Sequence, residues 1–372
     1  MANFFFPIGL FFVSLQPEME QENLDIIYMR RCLQLAANGL GRVRPNPLVG
    51  CVVVKEGAVL SEGYHQEYGH NHAERNALLR DGDFRGATLY VNLEPCSHYG
   101  KTPPCADLVV EKGIRRVVCC NDDPNPLVSG RGIARLEAAG IEVVRHVLEA
   151  EGRELNRRFF TFMERQRPYV ILKWAQSADG FMAPSGGGGA SVCCNASVCC
   201  NNIAAYEGED KGEDKGANEG KGKGANKGGH GGQTYWLSTP GQNILNHRWR
   251  TEEAAILVGS QTYLDDRPQL TARHWHGNQP QPVVLDRRHR LTDVPAHWLH
   301  LDSPDIPSLL TTLYEKKIQS LIVEGGRQVL DAFLASGLYD EVRILQSPQV
   351  LGAGLEAPVV GEELRRVLII EP

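Results

Sequence analysis

Residues 72–105 contain the side chains whose types and spacing are best suited to chemistry. His72, Cys96 and Cys105 supply one imidazole and two thiols, three ligands of the kind that tetrahedral zinc sites use. Catalytic zinc sites leave the fourth position to water, whose pKa the metal lowers to roughly 7. Glu74 lies two residues after the histidine, where a carboxylate that is not a ligand can take a proton from that water and pass it to a leaving amine.

The alternative is a closed structural zinc site or two unrelated buried thiols, since His70 or His98 could supply a fourth ligand. Zinc deaminases combine a His-x-Glu with a Pro-Cys and a second cysteine that follows after two residues. Here eight residues separate Cys96 from Cys105. A strand signal at 88–93 runs directly into the first cysteine, and a helical pattern follows the histidine. Ligands at helix starts beside a strand end form an open pocket, so the pattern favours hydrolytic deamination.

Composition limits the partners of the chain. Its 372 residues are enough for two domains, and 42% hydrophobic with 23% charged residues is typical of a soluble globular protein. The net charge of −6 argues against nucleic acid as a partner, so an anionic substrate must be held by local lysines and arginines. Adjacent cysteines such as Cys119-Cys120 suit disulfides poorly, which predicts a reducing, cytoplasmic location.

The first fifteen residues are rich in phenylalanine, yet they do not resemble a signal peptide. They lack a basic segment and a small-residue cleavage site, and Pro7 interrupts them. They are also shorter than the ~20 apolar residues that span a bilayer. We therefore expect residues 1–18 to be a non-native extension, Met19 to be the true start, and the protein to have no membrane attachment.

The elements that must position the zinc ligands alternate between helices and strands. Apolar periodicity predicts, in order, a helix from Leu24 to Asn38, a hairpin of strands 48–54 and 58–64, a helix after His72, strand 88–93, a helix at Cys105, strand 115–120, a helix near 132–139 and strand 141–144. This order predicts a mixed sheet flanked by helices in a domain at 19–165. Both ligand segments would start helices, where the positive end of the dipole favours thiolate.

A second strand–helix series begins at Tyr169 and predicts another α/β domain at 166–372. Beyond residue 233 the patterns indicate a helix around 240–249, strands 255–259, 282–286 and 320–323, and a helix from Gln328. The last strand runs into Glu324-Gly325-Gly326. Strand, glycine pair and helix can cradle a phosphate, although such a turn is often only a turn.

Residues 186–232 differ in kind from the sequence on either side. The hexapeptide Ala-Ser-Val-Cys-Cys-Asn occurs twice in tandem, and repeats of Gly, Lys, Glu, Asp and Asn follow it. Apolar residues are almost absent from residue 207 onward, so ordering the segment would bury little surface. We expect a disordered low-complexity insertion. The alternative is a metal-binding lid built on Cys193, Cys194, Cys199 and Cys200.

Taken together, the two halves resemble the bifunctional deaminase/reductase family of riboflavin biosynthesis. The resemblance covers Met19 to nearly the C-terminus, without the insertion, and includes the long cysteine spacing. The matching motifs are Pro45-Asn46-Pro47, His72-Ala73-Glu74, Glu94 to Cys105, Asp123 to Pro126, Lys173 to Gly180, Trp236, Asp266, Leu270-Thr271 with Arg273, and Glu324-Gly325-Gly326. The resemblance implies a cytidine-deaminase-like α/β/α sandwich with a mixed sheet, followed by an α/β domain similar to dihydrofolate reductase.

The resemblance also implies two consecutive reactions on one phosphorylated pyrimidine. Zinc-dependent deamination of a diaminopyrimidinone with a phosphoribosylamino substituent would precede NADPH-dependent reduction of its ribosyl chain to ribityl. The implied zinc ligands are His72, Cys96 and Cys105, with Glu74 as proton shuttle. The implied NADPH contacts are Ala175, Trp236, Thr262, Asp266 and the segment from Gly326. The implied substrate contacts are Thr234, Arg250, Leu270, Arg273 and Glu324 in the second half, and Asn46, His98 and Lys101 in the first.

Two further expectations and two departures accompany this resemblance. The family's reductase domains commonly pair, so we expect a homo-oligomer. A deaminase that acts alone, with a non-catalytic nucleotide-binding second domain, is the alternative function.

Arg267 stands where the family often has a second acid, which affects the contacts expected near Asp266. Arg287 stands where the family commonly has a small residue, and this extra cation would suit the 2′-phosphate of NADPH.

The insertion yields the first testable prediction. Replacing residues 187–231 with a short Gly-Ser link should leave both activities and the melting temperature nearly unchanged, because each doubling of a flexible loop costs only ~0.6 kcal/mol. Both rates and the melting temperature would be measured beside the full chain. A clear drop in reductase turnover, together with loss of a second bound zinc, would instead support the cysteine lid.

Overall fold

The computed structural model describes residues 12–99, 103–125, 128–185, 192–193, 235–361 and 366–372. The chain forms two compact units, the first made by Met1–Tyr169 with Leu310–Ser320, the second by Val170–Leu309 with Leu321–Pro372. The division after Tyr169 lies close to the predicted boundary at 165. The domain limits inferred from the sequence stay a prediction.

A five-stranded mixed sheet organises the first unit. Its strands follow the order β2-β1-β3-β4-β5, with β1 antiparallel to β2 and β3, and with β3, β4 and β5 parallel. The elements of this part of the chain are α1 (Phe12–Ala37), β1 (Gly50–Lys55), β2 (Ala58–Tyr64), α2 (Ala73–Leu78), β3 (Thr88–Leu93), α3 (Cys105–Glu111), β4 (Arg116–Asn121), α4 (Arg131–Ala138), β5 (Glu142–Val144), α5 (Glu149–Leu155) and α6 (Arg157–Arg165).

Side-chain alternation along the strands builds a core on each face of this sheet. Cys51 and Val53 of β1 pack with the apolar residues of α2, α3 and α4, whereas Val52 and Val54 pack with the apolar face of α1. Successive residues of a strand point to opposite faces, so a continuous apolar run is what a sheet covered on both sides requires. The predicted α/β/α arrangement with a mixed sheet is confirmed.

Helix α1 begins earlier than its apolar periodicity predicts. It starts at Phe12 rather than near Leu24, and it ends at Ala37, just before the predicted stop at Asn38. Residues 19–23 are mostly Met, Glu and Gln, which favour helix through their intrinsic propensity without adding a buried face. Because these residues show no apolar periodicity, the pattern predicts a helix start that is too late.

A seven-stranded sheet organises the second unit, in the order β12-β11-β10-β13-β6-β14-β16. The pairs β12–β11, β11–β10, β10–β13, β6–β14 and β14–β16 are all parallel. The remaining elements are β6 (Tyr169–Gln176), β7 (Phe181–Pro184), β8 (Val192–Cys193), β9 (Tyr235–Trp236), α7 (Pro240–Glu252), β10 (Ala255–Gly259), α8 (Ser260–Asp266), β11 (Gln281–Leu285), β12 (Leu299–Leu301), α9 (Ile306–Glu315), β13 (Ser320–Val323), α10 (Arg327–Ser336), β14 (Glu341–Gln346), β15 (Gly354–Glu356) and β16 (Val367–Ile370).

The predicted insertion at 186–232 lies outside the described residues except for Val192–Cys193. These two residues form β8, which pairs in parallel with β9. The hypothesis of a lid built on four cysteines therefore stays a prediction. Among the described helices, none combines the length and apolar character that a membrane crossing requires.

A buried ion pair fastens α1 to the sheet. Asp25 on α1 accepts two hydrogen bonds from the guanidinium of Arg116 on β4, at 2.8 and 2.7 Å, and a third from the hydroxyl of Tyr90 at 2.9 Å. The exposed fractions of Asp25 and Arg116 are only 4% and 8%. Removal of one charge from such a pair leaves the other buried without compensation, which is strongly destabilising.

We predict that Asp25→Asn lowers the free energy of unfolding by about 3 kcal/mol, because Arg116 then remains buried with only the largely exposed Glu142, 3.0 Å away, as its counter-charge. Urea denaturation would measure the change. Glu62→Gln is the matched control, because Glu62 pairs with Arg31 in the same bidentate manner at 2.7 and 2.8 Å but near the surface. Its cost should be about 0–1 kcal/mol. Equal losses in the two variants would contradict this account.

Candidate active sites

Three predicted metal ligands converge at one end of the first sheet. The ligand atoms of His72, Cys96 and Cys105 all lie within 4.8 Å of one another. Nδ1 of His72 is 3.5 Å from Sγ of Cys96 and 3.4 Å from Sγ of Cys105. Zinc bonds of ~2.0–2.3 Å in a tetrahedron place neighbouring ligand atoms about 3.6 Å apart, so this donor set fits a zinc ion.

Local structure explains why these ligands meet. His72 is the extended residue immediately before α2, and Cys105 is the first residue of α3, after Pro104. The two predicted helix starts are therefore confirmed. Helix α2 lies directly on β2 because residue 63 is glycine: a Cβ there would lie 2.5 Å from the carbonyl oxygen of Ala73. This close approach brings His72 over the end of the sheet.

The buried carboxylate of Glu94 anchors the segment that carries Cys96. It accepts hydrogen bonds from four backbone N–H groups, those of Asp123 at 3.4 Å, Gly130 at 2.9 Å, Gly132 at 2.9 Å and Ile133 at 3.3 Å. The last two belong to the first turn of α4, whose N–H groups have no partner within the helix. Glu94 thus ties the first cysteine ligand to α4.

Burial prepares Glu74 for proton transfer. Its side chain is 3% exposed, and desolvation raises the pKa of its carboxyl group to about 7. Among the described residues, its Oε2 atom has no hydrogen-bond partner. A carboxyl group with a pKa near neutrality both accepts and donates protons at physiological pH, as a general acid–base requires.

The two cysteine thiols have pKa values that shift in opposite directions. A hydrogen bond from the Cys105 thiol, assisted by His72, lowers the pKa of Cys96, and the same hydrogen bond, together with burial, raises the pKa of Cys105. A divalent cation bound between the two sulfurs would favour the thiolate form of both.

Two of the three predicted substrate contacts in the first unit, Asn46 and His98, belong to the described residues, and the third, Lys101, does not. Asn46 is brought beside the site, because its Nδ2 lies 3.1 Å from Nε2 of His65, whose ring contacts the ring of His72 at 5.5 Å. The Nδ1 atom of His98 is buried without a hydrogen-bond partner in the described part of the chain. Lys101 lies outside the described residues. Their roles as substrate contacts stay predictions.

The second unit contains a cleft of about 1550 Å³ at the ends of β10, β11 and β13. Four of the six predicted cofactor contacts line it: Thr262, Asp266, Arg287 and Gly326. Gly326 heads α10 with φ +42°, and a Cβ there would lie 3.1 Å from Oγ1 of Thr262. A glycine before a helix start, together with Arg287, Arg288 and Arg290 in the lining, suits a phosphorylated dinucleotide, so the cleft fits NADPH.

The other two cofactor candidates and Arg267 lie elsewhere. Ala175 is buried on β6 and is not one of the cleft-lining residues that the structure describes. Trp236 contributes backbone to β9, and its side chain is outside the described part. Arg267, which stands where the family often has an acid, follows the last residue of α8. Its guanidinium forms an ion pair with Asp293 at 2.6 Å.

The substrate candidates of the second unit form a buried network. Arg250 and Glu324 are both fully buried and joined at 3.2 and 2.7 Å, and the nearby Nζ of Lys173 is 4.0 Å from Glu324. Burial alone would raise the pKa of Glu324, but the charges of Arg250 and Lys173 outweigh it and lower that pKa to about 2. Sequence reasoning named no partner for Arg250, because its acid lies 74 residues away.

Leu270 and Arg273 lie on one loop beside this pair. Leu270 is buried with φ +52°, a conformation that side chains of its size rarely adopt. Arg273 is exposed, and its guanidinium donates to Gln269. Thr234 lies outside the described residues. Sequence analysis missed Arg288 and Arg290, which also line the cleft; the basic run Arg-Arg-His-Arg at 287–290 was the available signal.

Comparisons with known proteins match both units. The zinc-binding region of cytidine and deoxycytidylate deaminases matches residues 22–121, and the RibD C-terminal domain matches residues 222–370. The riboflavin biosynthesis protein RibD of Aquifex aeolicus is 34% identical over 368 residues, 91% of each chain.

Solved structures agree with this match. A crystal structure of a diaminohydroxyphosphoribosylaminopyrimidine deaminase/5-amino-6-(5-phosphoribosylamino)uracil reductase from Thermotoga maritima is 34% identical, with a TM-score of 0.72 and 90% coverage of both chains. RibD of Acinetobacter baumannii is 31% identical, with a TM-score of 0.74 and the same coverage. The two reactive sites described above lie in the two matched regions. The chain therefore belongs to the RibD family of riboflavin biosynthesis, with a zinc-dependent deaminase domain followed by an NADPH-dependent reductase domain.

Proposed function

We propose that the first unit deaminates a diaminopyrimidinone that carries a phosphoribosylamino group, and that the second unit reduces the ribosyl chain of the product to ribityl. The observation that carries this proposal is the convergence of His72, Cys96 and Cys105 beside a buried Glu74 carboxylate. The separate cleft of the second unit supports the reductive step. The substrates named for the Thermotoga maritima relative have this chemistry.

In the deaminase site, each residue has a distinct task. His72, Cys96 and Cys105 would hold a zinc ion, which would supply a Lewis acid for the activation of water. Glu74 takes a proton as the carbon–oxygen bond forms and delivers it to the amine nitrogen as the carbon–nitrogen bond breaks. Asn46, His98 and Lys101 then hold the ring and the phosphate. Burial of Glu74 excludes bulk water from the proton that it carries.

In the reductase site, the residues mainly orient two ligands. Bound NADPH would supply the hydride for reduction at the anomeric carbon of the ribose. Thr262, Asp266, Gly326 and Arg287, with Ala175 and Trp236, position the cofactor. Arg287 is exposed on the cleft wall, where a guanidinium can bind the 2′-phosphate with two hydrogen bonds.

The substrate contacts in this unit are Thr234, Arg250, Leu270, Arg273 and Glu324. Arg273 presents an exposed guanidinium that suits the substrate phosphate. Arg250 is already committed to Glu324 and to the carbonyl oxygen of Thr271, so its part is to hold these two groups in place beside the substrate.

We also propose a cytoplasmic homo-oligomer. The six cysteines whose side chains the structure describes are buried free thiols, and the adjacent Cys119 and Cys120 are a pair that suits a disulfide poorly. The edge strand β16 leaves the apolar side chains of Val367, Leu368 and Ile369 between 40% and 55% exposed. Among the described strands β16 ends the sheet, and an apolar edge of this kind suits a second copy of the same chain, which would bury it.

We predict that Glu74→Gln retains stoichiometric zinc but slows deamination by roughly 10²–10⁴-fold, because it removes the proton carrier without removing a metal ligand. Zinc content by atomic absorption and ammonia release would be measured together. Glu67→Gln is the matched control, since Glu67 is exposed nearby and should affect neither quantity. Loss of zinc from the Glu74 variant would refute the role assigned here.

A second variant separates the two activities. Cys96→Ser should abolish deamination by removing a zinc ligand, yet it should leave NADPH oxidation with supplied deaminated intermediate largely intact, because each unit has its own core. NADPH absorbance would follow the second reaction. If the wild-type chain oxidises no NADPH with this intermediate, the alternative of a deaminase with a non-catalytic second domain is correct.

A further inference from the structure

Side chains of α7 hold the backbone of the loop at 269–273. The backbone N–H of Arg273 donates a hydrogen bond to Nδ1 of His247 at 3.0 Å. One turn further along the helix, Nη1 of Arg250 donates to the carbonyl oxygen of Thr271 at 2.9 Å. The loop is therefore tied to the helix at two points, one on each side of residue 272.

The same loop is held from its other side and contains a strained residue. Gln279 accepts a hydrogen bond from the N–H of Ala272 at 2.8 Å and donates to the carbonyl oxygen of Ala272 at 3.2 Å. Leu270 has φ +52°, a strained conformation that persists only where the surrounding structure enforces it. The side chains around the loop, rather than its own sequence, thus determine its conformation.

His247 is poorly explained as a packing residue. It is fully buried, its ring contacts that of His274 at 4.6 Å, and its Nε2 atom has no hydrogen-bond partner among the described residues. An unsatisfied buried donor lowers stability, and an apolar side chain of similar size avoids that loss. Burial, reinforced by Arg250, lowers the pKa of His247 to about 3, so the ring is neutral and Nδ1 is available as an acceptor.

We propose that His247 is a positioning residue for the reductase reaction. By accepting the N–H of Arg273, it fixes the loop conformation that presents the Arg273 guanidinium to the phosphate of the substrate. The inference rests on the proposed function of the second unit, in which Arg273 binds that phosphate. His247 itself acts only through Arg273 and has no role in NADPH binding.

A pair of substitutions tests the acceptor. His247→Leu removes Nδ1 and keeps most of the volume, whereas His247→Asn keeps an acceptor atom near the position of Nδ1. We expect His247→Leu to raise KM for the deaminated intermediate about tenfold or more, equivalent to roughly 1.4 kcal/mol, with KM for NADPH within about twofold of wild type. His247→Asn should restore KM for the intermediate to within about threefold of wild type.

Controls separate positioning from folding. Arg248→Leu changes the next residue of α7, which is exposed and pairs with Glu252, and it should leave both KM values unchanged. Melting temperature and the deaminase rate of each variant monitor the fold. If His247→Leu does not fold, His247→Gln replaces it, because its longer side chain displaces the acceptor from the Nδ1 position while keeping a polar group.

Several outcomes would overturn the proposal. Wild-type KM for the intermediate in the folded leucine or glutamine variant would show that the acceptor is unimportant. If His247→Asn raises KM for the intermediate as much as His247→Leu does, then packing of the imidazole ring matters and the acceptor atom does not. A parallel rise in KM for NADPH would show a general distortion of the unit. By contrast, absence of NADPH oxidation in the wild-type chain would refute the proposed function itself.

Discussion

The deaminase site depends on one constraint, which is that the buried carboxylate of Glu94 must be satisfied by backbone N–H groups. Glu94 lies two residues before the ligand Cys96, and it receives four such hydrogen bonds from residues 123–133. If that stretch moved, several donors and one charge would be left buried without partners. The position of the first thiolate is therefore fixed by the start of α4 rather than by the metal alone.

The reductase unit also contains a buried carboxylate that needs hydrogen-bond partners, and here a charged side chain supplies them. Glu324 is fully buried at the end of β13, and it is satisfied by the guanidinium of Arg250 on α7. That guanidinium also holds the carbonyl oxygen of Thr271, so one buried charge pair links the strand end, the helix and the loop at 269–273. Rigidity of this kind keeps the binding groups in place before a ligand arrives.

The sequence predicts the elements whose apolar residues follow a regular period. Strands β1, β3 and β4 are continuous apolar runs, and the helices after His72 and at Cys105 follow from ligand spacing and periodicity. It does not predict α5 and α6, which follow the last recognisable strand of the first unit and lie in a stretch rich in charged residues. Long-range pairs are also invisible: Asn46 with His65, and Arg250 with Glu324, join residues whose proximity only the fold creates.

Two buried glutamates, Glu74 and Glu324, are similarly desolvated, and their charged neighbours make their pKa values differ. Desolvation raises the pKa of Glu74 to about 7, because no arginine or lysine compensates it strongly. The same desolvation is outweighed at Glu324 by Arg250 and Lys173, and the pKa of Glu324 falls to about 2. A group with a pKa near neutrality exchanges protons readily, whereas one with a pKa near 2 stays ionised throughout the physiological range. Glu74 is thus suited to carry a proton between water and amine. Glu324 is suited to hold the cations of Arg250 and Lys173 and to accept hydrogen bonds.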